Sequence, residues 1–326
     1  MKKNFIVFII IIICTNLKAQ ADLGTYASLH EDQNKEKIEV EKMKKELQQI
    51  KPQTDKYTDE LNNLTEQLNE NNISEIHLFV RPNNINISKD LNINSLTYNN
   101  TLPGPLITIS EGSKVKVILH NQLKESTSFY IQGLNNAINS LPTKISDLIQ
   151  PNHTANFEFT ATKPGIYFYR PQIINFNQMV NGLYGAILVL SKSVNFDKEF
   201  VLLFSEIKDK DNTYFLINGK QAPQIPPINV TLNQRIRLHL INAASESIPL
   251  ALSGHKLEII QQNCSDDLEP HVIRDEITLN PGDRIDCEFT ADNPGTWSLS
   301  SLKFNQVSNS GKFPGGIACI IHYTKE

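Results

Sequence analysis

The chain has 326 residues, 40% of them hydrophobic, and a formal net charge of −4. That length is enough for one large or two ordinary domains with real cores. A balance this close to neutral implies no strongly basic face, which argues against nucleic acid as a main partner.

The N-terminus, MKKNFIVFIIIIIC, has two lysines followed by an apolar run too short for a comfortable bilayer span. Ala19 and Ala21 follow as small residues suited to cleavage. Residues 1–21 therefore read as an export signal, with an uncleaved anchor as the alternative. The mature protein is expected outside the cytosol, periplasmic or secreted, with no transmembrane span.

Residues 22–75 are polar and charged. Val40, Met43, Leu47, Ile50, Tyr57, Leu61, Leu64 and Leu68 fall in one heptad register, with Thr54 the polar interruption and Pro52 a potential break. Two readings stay open. One is a coiled-coil stalk that makes homo-oligomers through residues 40–68; the other is a helical hairpin or disordered leader.

From Ile76 the pattern changes to alternating strands punctuated by Pro, Gly and Asn. TSFYIQGL (Thr127–Leu134) reads as a short strand ending in a turn, which puts Tyr130 and Gln132 on one face. An internal repeat is present. EGSKVKVILHN (Glu111–Asn121) is echoed by LNQRIRLHLIN (Leu232–Asn242), and FEFTATKPGIYFYR (Phe157–Arg170) by CEFTADNPGTWSLS (Cys287–Ser300). The expected fold is all-β: two tandem Greek-key sandwiches, residues 76–192 and 197–326, joined near Ser191–Asp197. Cys264, Cys287 and Cys319 remain once Cys14 leaves with the signal, allowing at most one bridge. Cys287 and Cys319 lie in strand-like runs and read as buried thiols; their pairing is open.

YNNTLPGPLITISEGSKVKVILHNQLKESTSFYIQGL (Tyr98–Leu134) resembles the first cupredoxin domain of multicopper oxidases, including two-domain, nitrite-reductase-like members. KPGIYFYRPQIINFNQMVNGLYGAILVL (Lys163–Leu190) is similar to that domain's last strands. LINGKQAP, RLHLINAAS, SGHKLEII and PGDRIDCEFTADNPGTW resemble the closing domain. The resemblance covers roughly residues 77–326.

The resemblance implies copper held by paired imidazoles at strand ends, and a second copper on two histidines and a cysteine thiolate. Position by position, the expected ligands are replaced. The first His-x-His reads Tyr130-Ile131-Gln132, and the second reads Arg170-Pro171-Gln172. The His-Pro-x-His-x-His segment reads Ile248-Pro249-Leu250-Ala251-Leu252-Ser253, with only the later His255 kept. His-Cys-His reads Ser300-Ser301-Leu302, the next histidine falls near Gln306, and the axial methionine region reads Gly315-Gly316. None of the eight histidines forms a His-x-His.

Arg170 weighs most here, because its guanidinium keeps its charge. About 4 Å from a divalent ion at an effective dielectric of about 20, it adds roughly 8 kcal/mol of repulsion. His255 reads as a structural turn residue. His120 and His239 recur at similar places in the two repeats and read as packed or solvated strand residues. Met179 lacks histidine or thiolate neighbours. No Gly-x-Ser-x-Gly elbow, phosphate loop or dinucleotide fingerprint is present.

The expectation is an exported, non-catalytic protein without catalytic or metal-ligating residues and without a cofactor, acting as a binding or assembly surface for an unidentified envelope partner. Two alternatives remain open: a copper oxidoreductase using unidentified ligands, and a small-anion binder in the former metal cavity through Arg170.

Overall fold

The computed structural model describes residues 73–324, apart from 90, 135–147, 173–175, 210–211, 264–270, 310 and 312. The chain divides into a unit of residues 1–65 and a compact unit of residues 66–326, and all described residues belong to the second. The export signal, the heptads and Cys264 lie outside the described residues.

The first half holds strands β1 (Ile73–Ser88), β2 (Leu91–Tyr98), β3 (Ile107–Ser110), β4 (Lys114–Asn121), β5 (Tyr130–Gln132), β6 (Thr154–Thr160), β7 (Gly165–Arg170) and β8 (Gly185–Leu190). A short helix, α1 (Phe176–Val180), precedes β8. The strands form two sheets, ordered β2-β1-β4-β6 and β3-β8-β7-β5. The fold begins slightly earlier than Ile76: Ile73–Glu75 already pair in parallel with Lys114–Lys116 as the start of β1.

The second half holds β9 (Lys198–Asp209), β10 (Asn212–Ile217), β11 (Ile228–Val230), β12 (Arg235–Asn242), β13 (Ile248–Leu252), β14 (Leu257–Gln262), β15 (Val272–Arg274), β16 (Glu276–Leu279), β17 (Arg284–Thr290), β18 (Thr296–Ser301) and β19 (Ala318–Tyr323). A single helical turn, α2 (Phe304–Val307), follows β18. Here the sheet orders are β10-β9-β12-β17-β14-β15 and β11-β19-β18-β13-β16. The result is mostly β, with two cupredoxin-like sandwiches. No helix among the described residues is long and apolar enough to cross a membrane.

Period-two alternation explains the matching central strands. In β4, Val115, Val117 and Leu119 point into the first core; in β12, Ile236, Leu238 and Leu240 point into the second. Each strand ends on an asparagine that closes the following turn in the same way. Asn121 Nδ2 donates to the carbonyls of Glu125 and Ile149, and its Oδ1 accepts from Leu123 N. Asn242 Nδ2 donates to Glu246 and Leu279, and its Oδ1 accepts from Ala244 N.

GIYFY in β7 does not alternate because both its faces are covered. Tyr167 and Tyr169 enter the first core, whereas Ile166 and Phe168 enter a third cluster with Leu188 of β8, Leu203 of β9 and Ile241 of β12. That cluster joins the sandwiches. At about 1.5–3 kcal/mol for each fully buried large apolar side chain, it is a substantial part of the molecule's stability. Cys287 and Cys319 are free and buried in the second core, and Met179 packs in the cluster between the sandwiches.

Candidate functional site

The singled-out positions fall into two groups, one in each sandwich. In the first, antiparallel pairing of β5 with β7 sets Tyr130 opposite Arg170 and Gln132 opposite Phe168. The Arg170 guanidinium lies 5.4 Å from the centroid of the Tyr130 ring and 5.9 Å from that of Phe168, a cation–π arrangement. Its Nε and Nη2 each donate to Gln132 Oε1 at 3.4 Å, and Nη1 donates to the Pro171 carbonyl at 3.0 Å. Burial lowers the proton affinity of Arg170, while the phenols of Tyr130 and Tyr98 act in the opposite direction. An arginine so placed keeps its charge at any ordinary pH. Gln172 joins this group through its backbone, whose N–H donates to Ser128 Oγ at 2.9 Å.

The second sandwich reaches this strand end. Gln132 Nε2 donates to the Gly282 carbonyl at 3.1 Å, and Arg284 Nη1 donates to the Gln132 carbonyl at 2.8 Å. Arg284 lies so close over Gly133 that a Cβ there would collide with the guanidinium. Gly133 also has φ +97°, a conformation that suits glycine.

In the second sandwich, β13 and β18 pair Leu250 with Ser301 and Ala251 with Ser300. Ile248 is buried in the second core and brings no donor atom. Ser301 Oγ donates to Gln306 Oε1 at 2.6 Å, and Gln306 Nε2 donates to the Ser247 carbonyl at 3.1 Å. Gln306 is fully buried, so these bonds satisfy an amide that would otherwise be costly. Ser253 is exposed and exchanges two hydrogen bonds with the Ser298 backbone. The Leu302 side chain is exposed, and its N–H bonds the Pro249 carbonyl. Among the described residues, no group of three or more His, Cys, Asp or Glu side chains has the geometry to hold a metal ion.

His255 does sit in a turn. Its Nε2 contacts Tyr323 OH at 2.8 Å, and its ring packs between Phe289, Trp297 and Tyr323. His120 and His239 are not equivalent, despite their similar places in the repeats. Aligned on Asn121 and Asn242, His120 is level with Ile241, and His239 with Ile118.

Sequence reasoning missed a buried polar group around His239. Its Nδ1 is 2.8 Å from Asp286 Oδ1, and its Nε2 is 3.0 Å from Glu199 Oε2. Burial opposes a charge on this imidazole, but the Asp286 and Glu199 carboxylates together outweigh it and push its pKa up to about 9. Beside it, Glu288 is buried and pairs with Arg237 Nε at 2.7 Å and with Arg235. The signal was RIRLH beside RIDCE, whose alternation lines basic and acidic residues on facing strands.

Two sandwiches of this design, with their strand-end sites, define a two-domain cupredoxin protein. Two multicopper oxidase family models match adjoining stretches of it, residues 80–194 and 195–301. The chain belongs to the multicopper oxidase family.

It is 29% identical over 242 residues to "Multicopper oxidase mco" of Staphylococcus haemolyticus, covering 66% of this chain and 51% of that protein. It is 26% identical over 234 residues to the "Probable nitrite reductase-hydroxylamine oxidoreductase fusion protein" of Kuenenia stuttgartiensis, covering 64% of this chain and 26% of that one. The chain thus spans about a quarter to a half of these relatives' length. Among solved structures, the blue copper oxidase of Nitrosomonas europaea superposes with a TM-score of 0.72 at 24% identity, over 77% of this chain and 86% of that one. At that identity the likeness is one of fold.

Proposed function

We propose that this protein is an exported, non-catalytic member of the multicopper oxidase family. In this reading it has lost the family's copper ligands and uses the double sandwich as a binding or assembly surface for a protein partner in the cell envelope. The observation that carries the reading is the Arg170 guanidinium held against Tyr130 and Gln132, three residues for which the sequence resemblance implies copper ligands.

The donor chemistry supports it. Copper in this family is held by imidazole and thiolate. The first group offers a phenol, amides and a permanent cation. In the second, Ile248 offers nothing, and Ser301 and Gln306 already bond each other. A copper centre of the family's kind does not fit these residues. The anion-binding alternative loses support, because Arg170 directs three N–H contacts at protein acceptors.

The relatives' names favour a second reading, a copper oxidoreductase working through other donors. One experiment separates the two. Untagged protein is loaded with Cu(II) and washed with a strong chelator, then assayed for retained copper per chain and for oxygen uptake with a phenolic substrate. The expected result is no stoichiometric copper and no oxygen uptake. One or more retained coppers per chain with substrate-dependent oxygen uptake would replace the first reading with the second.

A further inference from the structure

The outer face of the β2-β1-β4-β6 sheet carries a pair of histidines that the sites above do not use. His77 on β1 and His120 on β4 point outward, because their neighbours Leu78 and Leu119 point into the core. Parallel pairing sets His77 beside Ile118 and His120 beside Phe79, so the two imidazoles meet on the diagonal. His77 Nδ1 and His120 Nε2 are 3.0 Å apart, and the rings meet edge to edge with centroids 5.3 Å and planes 13° apart.

That separation has a chemical meaning. Two imidazole nitrogens bound to one ion at about 2.0–2.1 Å each, and 3.0 Å from one another, subtend roughly a right angle at the metal. A right angle is the cis angle of a tetragonal ion, Cu(II) or Ni(II), and is tighter than the tetrahedral angle zinc prefers.

The surroundings prepare the pair for such an ion. Phe79 stacks on His120 with centroids 4.4 Å apart, which fixes the ring's tilt. His120 Nδ1 lies 3.1 Å from Thr154 Oγ1 on β6. When Nδ1–H donates to that hydroxyl, Nε2 is left as the lone-pair nitrogen, as a metal-bound histidine requires. His77 is exposed, and each imidazole reaches a shared ion by turning roughly 40° within its own plane off the N–H···N line, a motion that keeps His120 parallel to Phe79.

We propose that His77 Nδ1 and His120 Nε2 form a surface site for a tetragonal divalent transition-metal ion, with solvent completing the coordination shell. Binding replaces the hydrogen bond between the rings with two metal–nitrogen bonds; the proton leaves His77 Nδ1 and, through solvent, one is taken up at the exposed Nε2, so the imidazole stays neutral. The site is far simpler than the family's copper centres and independent of whether those survive.

The test is Ni(II) titration by isothermal calorimetry on full-length, untagged protein and on the variants His77→Ala, His120→Ala and Arg170→Ala. Two ligands on one rigid frame reinforce each other, so either histidine variant is expected to bind about 100-fold more weakly. Arg170→Ala is expected to bind like the parent. Ni(II) should also raise the melting temperature of the parent but not of either histidine variant. Each variant's own melting temperature without metal checks that it is folded. Failure of the parent to bind, or undiminished binding by both histidine variants, overturns the proposal. Copper that survives chelation in the histidine variants would instead count against the reading under Proposed function.

Discussion

The outer faces of two equivalent sheets, β2-β1-β4-β6 and β10-β9-β12-β17-β14-β15, began from one pattern and now live in different solvents. Lys116, Ile118 and His120 on β4 stand level with Arg237, His239 and Ile241 on β12; across from them, Glu158 and Asn156 on β6 stand level with Glu288 and Asp286 on β17. In the first sandwich the basic position is solvated: Lys116 bonds the exposed Glu75 at 2.7 Å. In the second, Glu288 and His239 are buried, and the first sandwich covers this end of the sheet, with Gly165 of β7 packed over Gln261 and Asp286. One alternating strand thus yields a weak surface ion pair or a buried network, according to what lies on top of it.

The largest break in this comparison should come from His239→Gln, which leaves Glu199 and Asp286 buried without a cation between them. A loss of about 3–5 kcal/mol is expected in denaturant unfolding, whereas His120→Ala should change stability by only about 0.5 kcal/mol or less. Equal effects would mean that covering the sheet does not matter.

Asn121→Ala and Asn242→Ala come next, each deleting three hydrogen bonds, two of them buried. About 2–3 kcal/mol is expected from each, with the two values alike. A large inequality would show that the turns are equivalent in shape but not in energy.

The smallest effect, per unit of the variable changed, is in pH. The folded pKa of His239 is raised to about 9, above the ordinary imidazole value of about 6.5. Its stabilising contribution is therefore fully present below about pH 6.5 and is lost as pH rises through about 9. Single-proton linkage limits the slope to about 1.4 kcal/mol per pH unit. Unfolding curves for the parent should show this decline and those for His239→Gln should not; a flat parent profile would mean that the imidazole is neutral when folded.

The fold was largely legible because its signals are local. Alternation in KVKVILHN and RIRLHLIN, and the Pro-Gly turns of the repeat, set the strands and their inward faces. What a neighbouring sandwich covers is not local. Nothing in RIRLH says that its outward histidine will be buried, and aligning the repeats on histidine instead of the turn-closing asparagine shifts the register by two. Tyr130 and Gln132 were legible as sharing a strand face. Their meeting with Arg170 was legible only through the family resemblance, which implies one site for all three; the residues alone do not give it, because it depends on the pairing of β5 with β7. The His77–His120 meeting is less visible still, since it needs a parallel register between strands about forty residues apart.

The two bonds between Gln132 and the far sandwich, with Arg284 lying close over Gly133, make the first site a mechanical joint as well as a chemical position. A histidine at 132 would give up the amide that holds the Gly282 carbonyl, and any side chain at 133 would push Arg284 away. Placing a metal-binding loop at this strand end therefore means re-seating one half of the molecule upon the other, so its chemistry and its architecture can change only together.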